Sequence, residues 1–195
     1  MNEELTREIA ATAARLVVEE GLEYGPAKHR AVKTLGLPKR AALPSNDEVE
    51  DEVRDYLALF CADTQPAELQ ALRELAATWM ERLAEFRPHL TGAVWRGTAT
   101  RLNNLHLQLF CDDTKSTEIA LINWNIEYDV GSVGDHDLLI LAVPSRALGE
   151  TVTLCLTILD FDDLRGALKP DARGLTERGD LVALRKLLET EASSS

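Results

Sequence analysis

The first part of the chain repeats apolar residues at the spacing of an amphipathic helix. From Glu4 to Glu20 the apolar positions lie three or four residues apart, which places them on one helical face. Ser45 and Glu48 have the spacing of a capping box, in which each side chain satisfies a backbone amide at the start of a helix. The pattern predicts four helices, over 4–20, 26–35, 47–60 and 66–86, and a helical domain over residues 1–87.

The second part changes to a period of two, which is typical of strands. Leu105, Leu107 and Leu109 alternate with polar residues, and later apolar stretches continue the pattern. The predicted elements are strands around 105–110, 138–143 and 152–161, a helix over 115–123, and a last helix capped by Thr176. We therefore predict an α+β fold, in which the helical segment precedes a mixed sheet flanked by helices over residues 88–195.

The composition is that of an ordinary globular chain with a strong acidic excess. The sequence has 195 residues, of which 45% are hydrophobic, and a formal net charge of −12. No apolar run approaches the roughly 20 residues that cross a bilayer, and the acidic N-terminus lacks the pattern of a signal peptide. Cys61, Cys111 and Cys155 are too widely spaced for a disulfide framework or a zinc site, so we predict reduced cysteines and a cytoplasmic protein.

A basic segment without acidic residues lies between Glu23 and Asp47. Its charged residues are Lys28, Arg30, Lys33, Lys39 and Arg40. The residues around them, ATAARLVVEEGLEYGPAKHRAVKTLGLP, resemble the start of a TetR-type helix-turn-helix repressor, and this resemblance implies contact with DNA phosphates. A solvated helix face explains the same charges. After Leu37 the segment PKRAALPSN predicts a loop where the repressor has its recognition helix.

The segment from Leu90 to Asp113 is the strongest candidate for a functional site. It predicts a short strand, a turn containing Gly92 and Gly97, and a second strand. One face of the second strand is apolar, and the other carries polar residues such as His106. Turns of small residues that lead into a strand often hold binding or catalytic groups.

The order of these features resembles the nucleotidyltransferase superfamily, the polymerase-beta-like fold. Gly92-Ala93 stands where that family has Gly-Ser, and the run from Asn103 to Leu107 stands where it has Ser-Asp-Ile-Asp-Leu. A later strand ends at Asp160, which matches the third carboxylate of the family. The resemblance covers about residues 90–164 and implies binding of a nucleoside triphosphate. It also implies two divalent metal ions held by carboxylates on one strand face.

The matching positions differ from the family in charge. Asn104 and His106 replace the paired carboxylates, and Ala93 replaces the serine hydroxyl. An amide and an imidazole hold hard Mg²⁺ ions poorly, whereas His106 is suited to Mn²⁺ or to the role of a base. The resemblance implies His106 and Asp160 as catalytic residues, and Asn104, His106, Asp160 and Asp162 as ligands of Mg²⁺ or Mn²⁺. It implies nucleotide binding by Gly92, Ala93, Arg96, Gly97, Arg101 and Lys115.

Three hypotheses follow from these observations. The first is a nucleotide- or phosphate-binding protein with a degenerate two-metal site. The second is an active transferase that uses His106, Asp160 and one further carboxylate, Asp162 or Asp112, around an atypical metal ion. The third is a non-enzymatic DNA-binding or adaptor protein, against which the acidic charge balance counts. For Asp112-Asp113 we predict a capping role at the helix that follows them. None of these hypotheses defines an oligomeric state.

Overall fold

The computed structural model describes residues 2–164, 170–171 and 174–194. The helices are α1 Asn2–Glu20, α2 Tyr24–Thr34, α3 Asn46–Phe60, α4 Gln65–Arg82, α5 Gly92–Arg96, α6 Thr114–Asn123 and α7 Leu181–Ser193. The strands are β1 His89–Thr91, β2 Leu105–Phe110, β3 Asp129–Val133, β4 His136–Ser145, β5 Glu150–Leu159 and β6 Arg178–Gly179. None of the described helices combines the length and the apolar character that crossing a lipid bilayer requires.

The chain divides into two compact units. The first contains residues 2–67 and Thr100–Asn103, and the second contains Glu68–Ala99 and residues 104–194. The sequence predicts a boundary at residue 87, and the compact units divide earlier along the chain. The reason is that α4 shares its buried face with the sheet, since Leu72 and Leu107 belong to one apolar cluster.

The first unit is a set of helices around a small apolar core. Ile9, Val32 and Val53 come from α1, α2 and α3 and are buried in one cluster. The hydroxyl of Tyr56 donates a hydrogen bond to Glu19 at 2.5 Å. This hydrogen bond raises the pKa of Tyr56 to about 12, because it stabilises the protonated phenol.

The start of α3 has the predicted capping box. The Glu48 amide donates to the Ser45 hydroxyl at 3.1 Å, and the Ser45 amide donates to the Glu48 carboxylate at 2.6 Å. Residues 35–45 separate α2 from α3, so the tight turn of a helix-turn-helix motif does not join these two helices. In the basic segment Arg30 forms an ion pair with Glu20 of α1.

The second unit is a six-stranded mixed sheet with helices, which confirms the α+β prediction. The strand order is β3-β4-β5-β2-β1-β6. Strands β2 and β5 are parallel, and every other neighbouring pair is antiparallel. Leu90, Leu107, Leu139 and Leu156 lie on one side of the sheet and are fully buried in its main core. The opposite side carries the polar residues of the same strands.

Two local predictions are corrected by the structure. The segment after β1 is the one-turn helix α5 and not an open turn, because Gly92 takes a left-handed conformation (φ +73°) that redirects the chain into it. The last helix is capped by Asp180, which accepts from the Ala183 amide at 2.9 Å, and not by Thr176. The predicted cap at Asp113 is confirmed, since its carboxylate accepts from the Ser116 amide at 2.8 Å.

Candidate functional site

The candidate site begins where β1 ends beside β2. These strands are antiparallel, with Thr91 opposite His106. Helix α5 follows at once and ends at Gly97, another left-handed residue (φ +92°), whose amide donates to the carbonyl of Ala93 at 2.9 Å. Two glycines therefore bracket a single helical turn next to the polar side of β2.

Gly92 lies directly against the imidazole of His106. A Cβ atom on Gly92 would be 3.7 Å from Cδ2 of His106, which is ordinary van der Waals contact. His106 is partly exposed, and its backbone carbonyl accepts a long hydrogen bond from the Thr91 hydroxyl at 3.4 Å. Gly92 therefore presents its backbone to this imidazole without a side chain between them.

Strand β5 brings a second set of side chains to His106. Because β5 is parallel to β2, His106 is paired in register with Cys155, and Leu105 with Leu154. Continuing that register by one residue places Thr153 beside Asn104. The neighbours of Asn104 and His106 are therefore a hydroxyl and a buried thiol, and Cys155 is not part of a disulfide.

The two predicted aspartates lie at the opposite end of these strands. Leu159, the last residue of β5, is paired with Phe110, the last residue of β2, and Asp160 follows. The four residue steps from His106 to Phe110 correspond to about 13 Å along a strand. The Asp160 amide donates to the carboxylate of Asp163 at 3.0 Å, which closes this turn on itself.

The structure therefore does not bring the four predicted metal ligands together. Asn104 and His106 lie at the start of β2, whereas Asp160 and Asp162 lie beyond the end of β5. Within the ranges that the structure describes, no group of three or more His, Cys, Asp or Glu residues is arranged to hold a metal ion. The cause is the parallel pairing of β2 with β5, which sets the strand starts side by side.

The predicted phosphate-binding cations are also distributed over several places. Arg96 forms an ion pair with Asp171 at 2.8 Å and is largely buried. Lys115 is exposed in the first turn of α6, at the same strand end as Asp160. Arg101 is exposed and belongs to the first compact unit. Of the predicted nucleotide-binding residues, Gly92 is the one shown next to His106, and Ala93 follows it in the chain.

A buried cation on the polar side of the sheet was not predicted from the sequence. Arg178 of β6 is paired with Thr91 and is 7% exposed. Its guanidinium donates to the Gln108 side chain and to the Asp163 carbonyl, both at 2.9 Å, and lies 4.7 Å from the ring centroid of Phe110. Among the residues that the structure describes, its Nε has no hydrogen-bond partner.

Burial changes the proton affinity of two groups on this face. It lowers the pKa of the Arg178 guanidinium, which remains a cation at neutral pH. Burial also lowers the pKa of His89, and the Arg178 cation acts in the same direction. The hydrogen bond between His89 Nδ1 and the Arg87 carbonyl at 2.9 Å acts in the opposite direction. This side of the sheet therefore combines a fixed positive charge with imidazoles.

One sequence signal could have located the residues of β5, whereas none could have located Arg178. Thr153, Cys155 and Thr157 alternate with the buried apolar residues of β5, which marks a polar face on that strand. Arg178 stands in a short segment between two glycines and gives no periodic signal. Its role depends on β6 pairing with β1, a contact between residues far apart in sequence.

Comparisons with known proteins give only partial structural matches. No family profile and no curated protein matches the chain. Similar solved structures include the Cid1 poly(U) polymerase with bound MgGTP, with a TM-score of 0.37 and 12% identity over 46% of this chain and 32% of that one. A complex of Cid1 with the UTP analog UMPNPP gives a TM-score of 0.36 and 11% identity, over 46% of this chain and 30% of that one.

A third match is the structure of a cytoplasmic RNA terminal U-transferase. It gives a TM-score of 0.36 and 16% identity, over 47% of this chain and 30% of that one. The chain therefore spans about a third of the length of each neighbour. Similarity at this level does not establish a family, a substrate or an activity.

Proposed function

We propose that the sheet unit binds a phosphate-bearing ligand of the nucleoside triphosphate class at Gly92 and Ala93, without standard two-metal transfer. The observation that carries this proposal is the contact between Gly92 and His106. Gly92 has no side chain, so a phosphate can approach its backbone closely. His106 stands at the position where the nucleotidyltransferase superfamily has the second of its paired carboxylates. The resemblance of Gly92-Ala93 and Arg96-Gly97 to the nucleotidyltransferase superfamily supports the same ligand class.

The charge of the site favours an anion over resident metal ions. Asn104, His106, Thr153 and Cys155 supply an amide, an imidazole, a hydroxyl and a thiol in place of carboxylates. This donor set does not fit a resident pair of Mg²⁺ ions, which require carboxylate oxygens and water. A Mg²⁺ or Mn²⁺ ion would arrive with the triphosphate as its counterion.

The separation of His106 from Asp160 favours binding over transfer. General base and metal-ligand roles require groups within a few ångströms of the same reacting atoms. The register places these two residues at opposite ends of the paired strands. The active-transferase hypothesis would need a rearrangement of β5 relative to β2.

Titration calorimetry tests the proposal directly. We expect heat of binding with at least one of Mg-ATP, Mg-GTP, Mg-CTP and Mg-UTP, and no transfer of labelled nucleotide to RNA. Gly92→Val places a branched side chain beside His106 and should weaken binding at least about tenfold. Gly149→Val is the matched control, because Gly149 has a similar left-handed backbone (φ +67°) but nothing within 4 Å of its added Cβ.

Two results would contradict the proposal. One is the absence of binding for all four nucleotides with either Mg²⁺ or Mn²⁺. The other is equal weakening by the Gly92 and Gly149 variants, since both share the backbone strain and only one lies at the site.

A further inference from the structure

One outer edge of the sheet is formed by β3. This strand lies at one end of the strand order, and among the described residues β4 is the strand that pairs with it. Its residues are mostly exposed, with Val130 at 65%. An exposed edge strand offers unpaired backbone groups to another extended chain.

The hairpin that joins β3 to β4 defines which backbone groups face outward. Val133 and His136 flank its two-residue loop, and such flanking residues form a hydrogen-bonded pair. Because hydrogen-bonded and non-hydrogen-bonded pairs alternate, Gly131 is bonded to β4, whereas Val130 and Ser132 direct their amides and carbonyls away from the sheet. The backbone amides and carbonyls of Val130 and Ser132 can therefore form hydrogen bonds with an added strand.

Exposed apolar residues occur both on β3 and on helix α6. Val130 is paired with the buried Leu139, so its side chain points to the side of the sheet that α6 covers. Helix α6 leaves Ile119 and Ile122 exposed at 57% and 59%. The hydroxyl of Tyr128, immediately before β3, donates to Glu118 on α6 at 3.0 Å, which connects the helix to the start of this edge.

The stretch of sequence that contains the edge strand has only acidic charged residues. No lysine or arginine stands between Lys115 and Arg146, and this stretch contains Glu118, Glu127, Asp129, Asp135 and Asp137. Asp129 points to the side opposite Val130, because side chains alternate along a strand. A second copy of the chain would bring like charges together at this edge, whereas a basic segment would neutralise them.

We propose that β3 and α6 form a docking site for an extended basic segment of a partner protein, which adds as a further strand of the sheet. Its apolar residues pack on Ile119, Ile122 and Val130, and its alternate lysine or arginine residues lie on the side of Asp129. Backbone hydrogen bonds to Val130 and Ser132 hold the segment as a strand. The alternation of apolar and basic residues in the segment determines which sequences bind. This surface is separate from the Gly92–His106 site.

The test uses the full chain and a fluorescent peptide in which four lysines alternate with four valines. We expect the fluorescence anisotropy of the peptide to rise to saturation as protein is added. The alternating peptide should bind about tenfold more tightly than a block peptide in which the four lysines precede the four valines. A peptide that alternates glutamate with valine should not bind. Ile122→Lys should weaken the affinity about tenfold. Val182→Lys on α7 is the matched control, since Val182 is 61% exposed and lies outside the docking site, and it should leave the affinity unchanged.

Amide hydrogen exchange distinguishes strand addition from a simple charge contact. The amides of Val130 and Ser132 should gain protection when the alternating lysine-valine peptide binds, while those of Gly131 and Val133 stay as they are. Equal binding of the block peptide, or no gain of protection at Val130 and Ser132, overturns the proposal. A concentration-dependent dimer in sedimentation that Ile122→Lys abolishes would also overturn it, because the occupant would then be a second copy.

Discussion

The indole of Trp95 occupies the space where a side chain on Gly179 would stand. A Cβ atom added to Gly179 would lie 2.2 Å from Cη2 of Trp95, closer than real Cβ contacts allow. The indole Nε1 also donates to the carbonyl of Thr176 at 2.8 Å. Helix α5 and strand β6 are thus held together by one aromatic side chain that requires a glycine opposite it.

We expect Gly179→Ala to destabilise the protein by about 1–3 kcal/mol, because the rigid indole ring must move. Urea unfolding monitored by tryptophan fluorescence measures the effect. Gly131→Ala is the control in the same sheet, since its added Cβ meets only Leu138 and Ile140 side chains at 3.7–3.9 Å. Its stability should stay within about 1 kcal/mol of the wild type. Equal stability of the two variants would show that Trp95 does not constrain β6.

Arg73 connects α4 to α5 through a buried guanidinium. Nε donates to the carbonyl of Val94 at 2.8 Å and Nη2 to that of Trp95 at 2.9 Å, and Nη1 forms an ion pair with Glu191 of α7. Arg73→Met keeps the aliphatic stem but leaves both carbonyls without this donor. We expect a loss of about 2–4 kcal/mol in chemical denaturation.

Glu191→Gln is the matched test of the ion pair alone. The Glu191 side chain is 41% exposed, so solvent screens its charge, and the loss should stay below about 1 kcal/mol. If Glu191→Gln destabilised the protein as much as Arg73→Met, the ion pair and not the carbonyl contacts would dominate.

The lowered pKa of His89 predicts a loss of stability in mild acid. Burial disfavours the imidazolium in the folded state, so the folded pKa lies below the unfolded value of about 6.5. The unfolded state then binds more protons, and stability is full above that value and falls as the pH decreases through it. His89→Gln removes this titration and should flatten the decline between about pH 7 and pH 5.

Urea midpoints for both proteins across that pH range provide the measurement. His29→Gln is the control, because His29 lies on α2 and belongs to the first compact unit. A wild-type midpoint that declines no faster than that of His89→Gln would contradict the assignment. The contact of His89 with Phe110, at 5.1 Å between ring centroids, should keep the variant slightly less stable at neutral pH.

The sequence was sufficient for elements whose signal is local. The period of α3 and its capping box, the alternation of β2 and the cap at Asp113 depend on neighbouring residues, and the structure reproduces each of them. Register between strands is a different kind of information. Nothing near Asp160 shows that β5 runs parallel to β2, and it is this pairing that places Cys155 beside His106.

The same limit applies to residues that act across the sheet. Trp95 and Gly179 are far apart in sequence, and no local sequence pattern at either residue predicts their contact. Arg178 stands in a two-residue strand, too short for a periodic signal. Local physics therefore predicted the elements, whereas the composition of the candidate site followed from long-range pairing.

Restoring negative charge beside Gly92 should create a metal site. Asn104, His106 and Thr153 share one side of the sheet by register, so the triple variant Asn104→Asp, His106→Asp, Thr153→Asp places three carboxylates at adjacent positions. Their mutual repulsion should destabilise the metal-free variant and raise the pKa of at least one carboxyl group. Mn²⁺ at about 100 times its dissociation constant should then stabilise this variant by about 2.7 kcal/mol and leave the wild type unchanged.

Thermal unfolding with and without Mn²⁺, together with electron paramagnetic resonance of free Mn²⁺, provides the measurement. The matched control carries Thr157→Asp in place of Thr153→Asp. Its third carboxylate lies beside Gln108, about 13 Å further along β5, although the charge change is identical. Binding that is equally tight in both variants would mean that added charge alone attracts Mn²⁺. Tighter binding by the Thr153 variant requires the strand starts of β2 and β5 to lie side by side, which is the arrangement on which the proposed ligand site depends.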